Sequence, residues 1–172
     1  MPNIILIGYM GCGKSTLGKK LAKKLSYDFI DSDMEIEKIT NQTVNEIFNS
    51  KGEIFFRELE SAFLLSLKKK NNYILSAGGG LPCFFDNIEK LKKLGTVLYL
   101  KLSPFELSSR LNHSKKIRPL LGDKNEEEIY YFTKEKLNER KEFYEKAHYI
   151  LKGKQHNVQC IMELLGIEIS NV

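Results

Sequence analysis

Gly8-Tyr9-Met10-Gly11-Cys12-Gly13-Lys14-Ser15 matches the pattern G-x-x-x-x-G-K-[ST] at every fixed position. The apolar run Ile4-Ile5-Leu6-Ile7 leads into it, and a helix-forming segment from Lys14 to about Leu25 leads away. Glycines let such a loop curl until successive backbone N–H groups point inward, and the helix that follows adds its positive N-terminal end. The result is a cradle for phosphate oxygens. Lys14 is placed to reach the β- and γ-phosphates of a nucleoside triphosphate, and the Ser15 hydroxyl is placed to face Mg²⁺. A strand-turn-helix that merely happens to be glycine-rich is the competing reading, and the flanking elements argue against it. Cys12, close to both Lys14 and the helix start, sits where a thiol becomes reactive. Its modification by thiol reagents is expected to be blocked by ATP. The loop alone does not name the acceptor, because switches, motors and kinases share it.

Outward from the loop, short apolar runs alternate with helix-period segments. A short strand is expected near Asp28 to Ile30, helical stretches through Lys69, and buried strands at Tyr73 to Ser76 and Val97 to Leu100. A charged helical stretch is expected from Asn125 to Ala147, then a last strand at Tyr149 to Leu151. This alternation predicts an α/β fold with parallel strands and crossover helices. Gly78-Gly79-Gly80 and Ser103-Pro104 read as turns after strands. Asn112 to Lys124 combines polar residues with a proline and a glycine and reads as an exposed, mobile loop.

A chain of 172 residues suits one domain, spanning 1–172, with one core. Apolar residues at 42% and charged residues at 28% are globular composition, and no apolar run is long enough to span a bilayer. Pro2 to Ile7 has no basic region before it and no cleavage site after it, so it reads as a buried strand rather than a leader. Cys12, Cys83 and Cys160 form no CxxC pair, which suits free thiols in a reducing cytoplasm. The net charge of +5 fits either a nucleic-acid binder or an enzyme of phosphates and carboxylates. Lys19-Lys20, Lys23-Lys24 and Lys68-Lys69-Lys70 read as solvated faces of amphipathic helices, and no aromatic-interleaved basic ribbon supports nucleic acid.

Five further segments carry candidate chemistry. Asp31-Ser32-Asp33 follows the second strand, where the carboxyl ends of parallel strands line a ligand crevice. One carboxylate could serve a metal and the other a hydroxyl, although Asp-Ser-Asp before a helix is also an ordinary N-cap. Arg57 and Glu60 are three apart on a helix and can touch, which by itself is a surface ion pair. Gly78-Gly79-Gly80 is either a plain turn or a place where a ligand approaches the backbone. Arg118-Pro119-Leu120-Leu121 puts an arginine on the loop, and Arg140 lies along the last long helix with Tyr144 and Ala147.

Taken in order from Ile4 to about Leu151, these segments resemble shikimate kinases. The resemblance implies a three-layer fold with a five-stranded parallel sheet of order 2-3-1-4-5 and a mobile lid over 112–124. It implies that Gly11, Cys12, Gly13, Lys14, Ser15 and Thr16 bind ATP, and that Ser15 and Asp31 serve Mg²⁺, Asp31 through water. Asp33 would bind the acceptor hydroxyl of shikimate, and Arg57, Arg140, Gly79 and Gly80 would hold the substrate. Glu60 would steady Arg57. Arg118 would close on the phosphates and join Lys14 and Asp33 in catalysis, and Arg110 would lie near the adenine. Guanidinium forks match a carboxylate bidentately, in keeping with that assignment. Two places depart from the family pattern. Leu81-Pro82-Cys83 stands where smaller residues are usual, and Gly153 to Asn157 leaves Gln155 as the candidate adenine contact. The expected partners are small molecules, ATP and shikimate, acting on a cytoplasmic monomer without nucleic acid or membrane. Gluconate or a nucleoside monophosphate as acceptor, and a slow nucleotide-dependent switch, are the rival readings.

Overall fold

The structure, a computed structural model, describes residues 2–113, 121 and 124–167. Five parallel strands form one sheet in the order β2-β3-β1-β4-β5. They are β1 (Asn3–Ile7), β2 (Asp28–Asp31), β3 (Tyr73–Ser76), β4 (Gly95–Lys101) and β5 (Tyr149–Lys152). The helices are α1 (Lys14–Leu25), α2 (Ser32–Thr40), α3 (Val44–Ser66), α4 (Asn87–Leu94), α5 (Pro104–Asn112), α6 (Glu126–Tyr144) and α7 (Val158–Leu164). The three inner strands read as continuous apolar runs because helices cover both faces of the sheet. Along β1, Ile4 and Leu6 join one core with Leu21 of α1 and Ile161 of α7, while Ile5 and Ile7 join the other with Leu64 of α3 and Leu91 of α4. That period-2 division is what a strand buried between two layers requires.

Register sets the site. Ile7 lies opposite Tyr99 of β4, Leu6 opposite Ser76 of β3, and Asp31 opposite Ser76. The carboxyl ends of β1, β2 and β3 therefore finish side by side, and the segments that leave them share one crevice. Several local expectations are corrected. Ser103-Pro104 is not a free turn: Ser103 caps α5 in a capping box with Glu106, and Pro104 takes the first helical position, where its missing N–H costs nothing. Asn112 is the last residue of α5, so the connecting segment starts one residue later than expected. Lys68 and Lys69 lie in a 3-10 turn, not on an amphipathic helix, whereas Lys19, Lys20, Lys23 and Lys24 are exposed on α1 as expected. Among the described residues no helix is long and apolar enough to cross a membrane.

Candidate active site

The phosphate loop bridges β1 and α1. Gly13 caps α1 at φ 100°, a left-handed conformation that a side chain would strain. Lys14 is buried, and its Nζ donates to the carbonyls of Gly8 at 2.7 Å and Tyr9 at 3.1 Å. It thus spans the loop it belongs to. Cys12 is buried as well, with Sγ 3.7 Å from Lys14 Nζ, so a thiol reagent reaches it only if the loop opens. Arg110 of α5 reaches back to the loop, its Nη1 donating to Cys12 O at 3.4 Å. Gln155 is exposed in a 3-10 turn after β5, where its side-chain oxygen accepts from the Lys152 N–H at 2.9 Å. Arg118 lies outside the described residues.

Asp31 and Asp33 take separate positions. Ser15 Oγ donates to Asp31 Oδ2 at 2.8 Å and sits 3.2 Å from Ser76 Oγ. Asp31 occupies the N-cap position of α2, yet its side chain makes no capping bond; it is turned to the phosphate loop instead. Ser32 is buried, and its hydroxyl accepts from the Gly78 N–H at 2.8 Å, pinning α2 to the glycine turn. Asp33 then lies against Gly78, whose missing side chain leaves it room. Burial pushes the Asp33 carboxyl above its ordinary value, and Asp31 adds to this; Lys14, a bond from Ser32 and Arg57 work against it.

Arg57 and Glu60 form a buried pair, not a surface one: Nη1 donates to Glu60 Oε2 at 2.7 Å, and the residues are 6% and 0% exposed. Phe84, Phe56 and Phe48 surround the guanidinium, with ring centres 4.4, 5.4 and 5.6 Å away. A side chain on Gly80 would meet Nη2 at 2.5 Å, so the guanidinium rests on that backbone. Arg140 of α6 reaches the same turn from the other side. It lies over the Tyr9 ring at 5.5 Å, and its Nη1 comes within 3.3 Å of where a Gly79 side chain would begin. Tyr144, one turn further along α6, is buried and donates from its hydroxyl to Gly79 O at 2.6 Å. Arg140 also hydrogen-bonds Tyr144, and its charge acts on Glu60.

Burial pushes the Glu60 carboxyl from 4.5 up to about 7 against the pull of Arg57. Between those values the folded protein keeps a proton that the unfolded chain has released. The stabilisation is full below about pH 4.5 and is lost as the pH rises through about 7. Glu60→Gln is expected to flatten the dependence of Tm on pH across this window, as followed by thermal unfolding in a pH series.

The sequence reading misses several neighbours. Cys83 sits within reach of the Arg140 and Arg57 charges, and burial pushes its thiol up to about 11, so it is neutral at ordinary pH. Phe84 and Phe48 carry no motif signal, since an aromatic residue stacked on an arginine looks in sequence like any core residue. Glu53 did carry one, four residues before Arg57 on a helix, the spacing of an ion pair.

A glycine-rich loop of the phosphate-binding pattern at the end of β1, two carboxylates after β2 and two arginines across a glycine turn are the makings of a P-loop kinase of small molecules. The family model for shikimate kinase matches residues 10–167, and the chain belongs to that family. A shikimate kinase of Bacteroides fragilis is 41% identical over 99% of this chain and 100% of its own length. The solved shikimate kinase of Bacteroides thetaiotaomicron is 40% identical with a TM-score of 0.91, covering 96% of this chain and 98% of its own. That of Acinetobacter baumannii, in complex with shikimate, is 34% identical with a TM-score of 0.82, covering 99% of this chain and 96% of its own.

Proposed function

We infer that this chain transfers the γ-phosphoryl group of ATP to the 3-hydroxyl of shikimate, giving shikimate 3-phosphate and ADP. The observation that carries this reading is the convergence of Asp33, Arg57 and Arg140 on the Gly78–Gly80 turn beside the phosphate loop. A hydroxyl-orienting carboxylate facing two guanidiniums suits an acceptor that bears both hydroxyl and carboxylate groups. Gluconate shares that chemistry, and family membership favours shikimate. A panel of shikimate, gluconate, AMP and CMP, with mass detection of the product, tests this. Phosphorylation of shikimate alone is expected, and turnover of another acceptor in its place would overturn the reading.

Backbone N–H groups of Gly11 to Thr16 hold the phosphates, and Lys14 turns from its loop carbonyls to the β- and γ-oxygens. Ser15 and Asp31 offer hard oxygen ligands side by side, which fits Mg²⁺, with Asp31 acting through water. Mg²⁺ bound there would neutralise phosphate charge. Asp33 orients the acceptor hydroxyl and receives its proton as the oxygen bonds to phosphorus and the bond to the β-phosphate oxygen breaks. Arg118 meets the charge on the transferring group, and Arg110, beside the loop, and Gln155 serve the nucleotide.

Arg140 grips a carboxylate that does not change during the reaction, so it contributes equally to ground and transition states. Arg140→Ala is therefore expected to raise the KM for shikimate more than it lowers kcat in steady-state kinetics.

A further inference from the structure

Glu53 holds part of Arg57 that the reaction assigned above leaves unexplained. One oxygen, Oε1, accepts from both Nη2 at 2.8 Å and Nε at 3.2 Å. The usual account of such a contact is support for the arginine. Arg57 does not lack support: Glu60, three phenylalanine rings and the Gly80 backbone already fix the guanidinium, which is 6% exposed. Glu53 itself is the loose partner, with its side chain 52% exposed. One residue earlier, Gly52 breaks α3 at φ 83° and ψ 172°, and a side chain there would point into open space. The immobile member of the pair is the arginine, and the member able to leave is the glutamate, which follows a glycine that breaks the helix.

Charge points the same way. Arg57 carries one positive charge and contacts two carboxylates, Glu53 and Glu60, and Asp33 stands close enough to feel both Arg57 and Glu60. A carboxylate arriving from a ligand meets an arginine already engaged on its Nε/Nη2 edge. Of Arg57's five N–H groups, Glu53 holds two and Glu60 one. Full bidentate pairing on that edge requires Glu53 to give way.

We propose that Glu53 is an internal stand-in for the acceptor's carboxylate, occupying Arg57 in the free protein and swinging into water about Gly52 when the acceptor binds. It thereby tempers the attraction of Arg57 for carboxylates and raises the KM for the true acceptor. The inference rests on the reading that Arg57 receives that carboxylate.

Glu53→Gln keeps the shape and an acceptor oxygen but removes the charge that competes. The KM for shikimate should fall by about two- to fivefold, the size expected for a half-exposed ion pair. Glu53→Ala, which removes the hydrogen bonds too, should shift the same way. The KM for an analogue with hydrogen in place of the carboxylate should be unchanged in both variants. An unchanged or raised KM for shikimate in both variants would show Glu53 to be a support for Arg57 and overturn the proposal. Arg57→Lys separates the two layers of the argument. A higher KM for shikimate with no change for the analogue establishes that Arg57 reads the carboxylate, whatever Glu53 does. If Arg57→Lys changes neither KM, the underlying reading fails and the proposal fails with it.

Discussion

Asp33→Asn is expected to lower kcat by about 10²- to 10⁴-fold while ATP binding survives. The substitution preserves size and the first turn of α2. In the proposed mechanism it removes the negative charge that would orient the acceptor hydroxyl and the oxygen that would receive its proton. The position of Asp33 makes the loss large. It is held against Gly78 by the Ser32 bond to the Gly78 N–H, so the carboxylate has little freedom to be replaced by a neighbour. Asp31 cannot substitute, because it is turned to Ser15. The check is steady-state kinetics with a separate measurement of ATP affinity. Turnover close to that of the unaltered protein would reduce Asp33 to an acidic residue that complements the helix N-terminus.

Lys14→Met is expected to lower kcat by about 10²- to 10³-fold, the loss typical when one preorganised charge is removed from a developing transition state. Methionine keeps the buried apolar stem and gives up the ammonium. In the free protein that ammonium bonds the Gly8 and Tyr9 carbonyls, so the variant also slackens the loop, and the KM for ATP should rise with it. Single-turnover measurement at saturating ATP isolates the part lost in chemistry. A single-turnover rate unchanged from the unaltered protein would mean that Lys14 only shapes the loop.

The phosphate loop and the strand alternation were legible in the sequence because both are local: a fixed spacing of glycine, lysine and serine, and apolar runs of strand length. Helix α7 was not, since Val158–Leu164 is short and its burial depends on α1, distant in sequence. The roles within Asp31-Ser32-Asp33 were ambiguous for a similar reason. An N-cap and a ligand look alike until Ser15 and Gly78, 16 and 46 residues away from their partners, show which side chain faces which. Arg57 with Glu60 was visible as a spacing that by itself suits a surface pair; the burial comes from Phe84 and Gly80, which follow β3 and lie distant in sequence. Glu53 needed the Gly52 break as well as the spacing to acquire meaning.

The most direct test is to follow ADP release with and without shikimate and locate the phosphate in the product by ³¹P–¹H NMR. ADP and phosphorylated shikimate should form one for one, with the phosphorus coupled to the proton at C3 and little ADP released when shikimate is absent. ADP release at the same rate without shikimate, or a phosphate on another hydroxyl, would contradict the account.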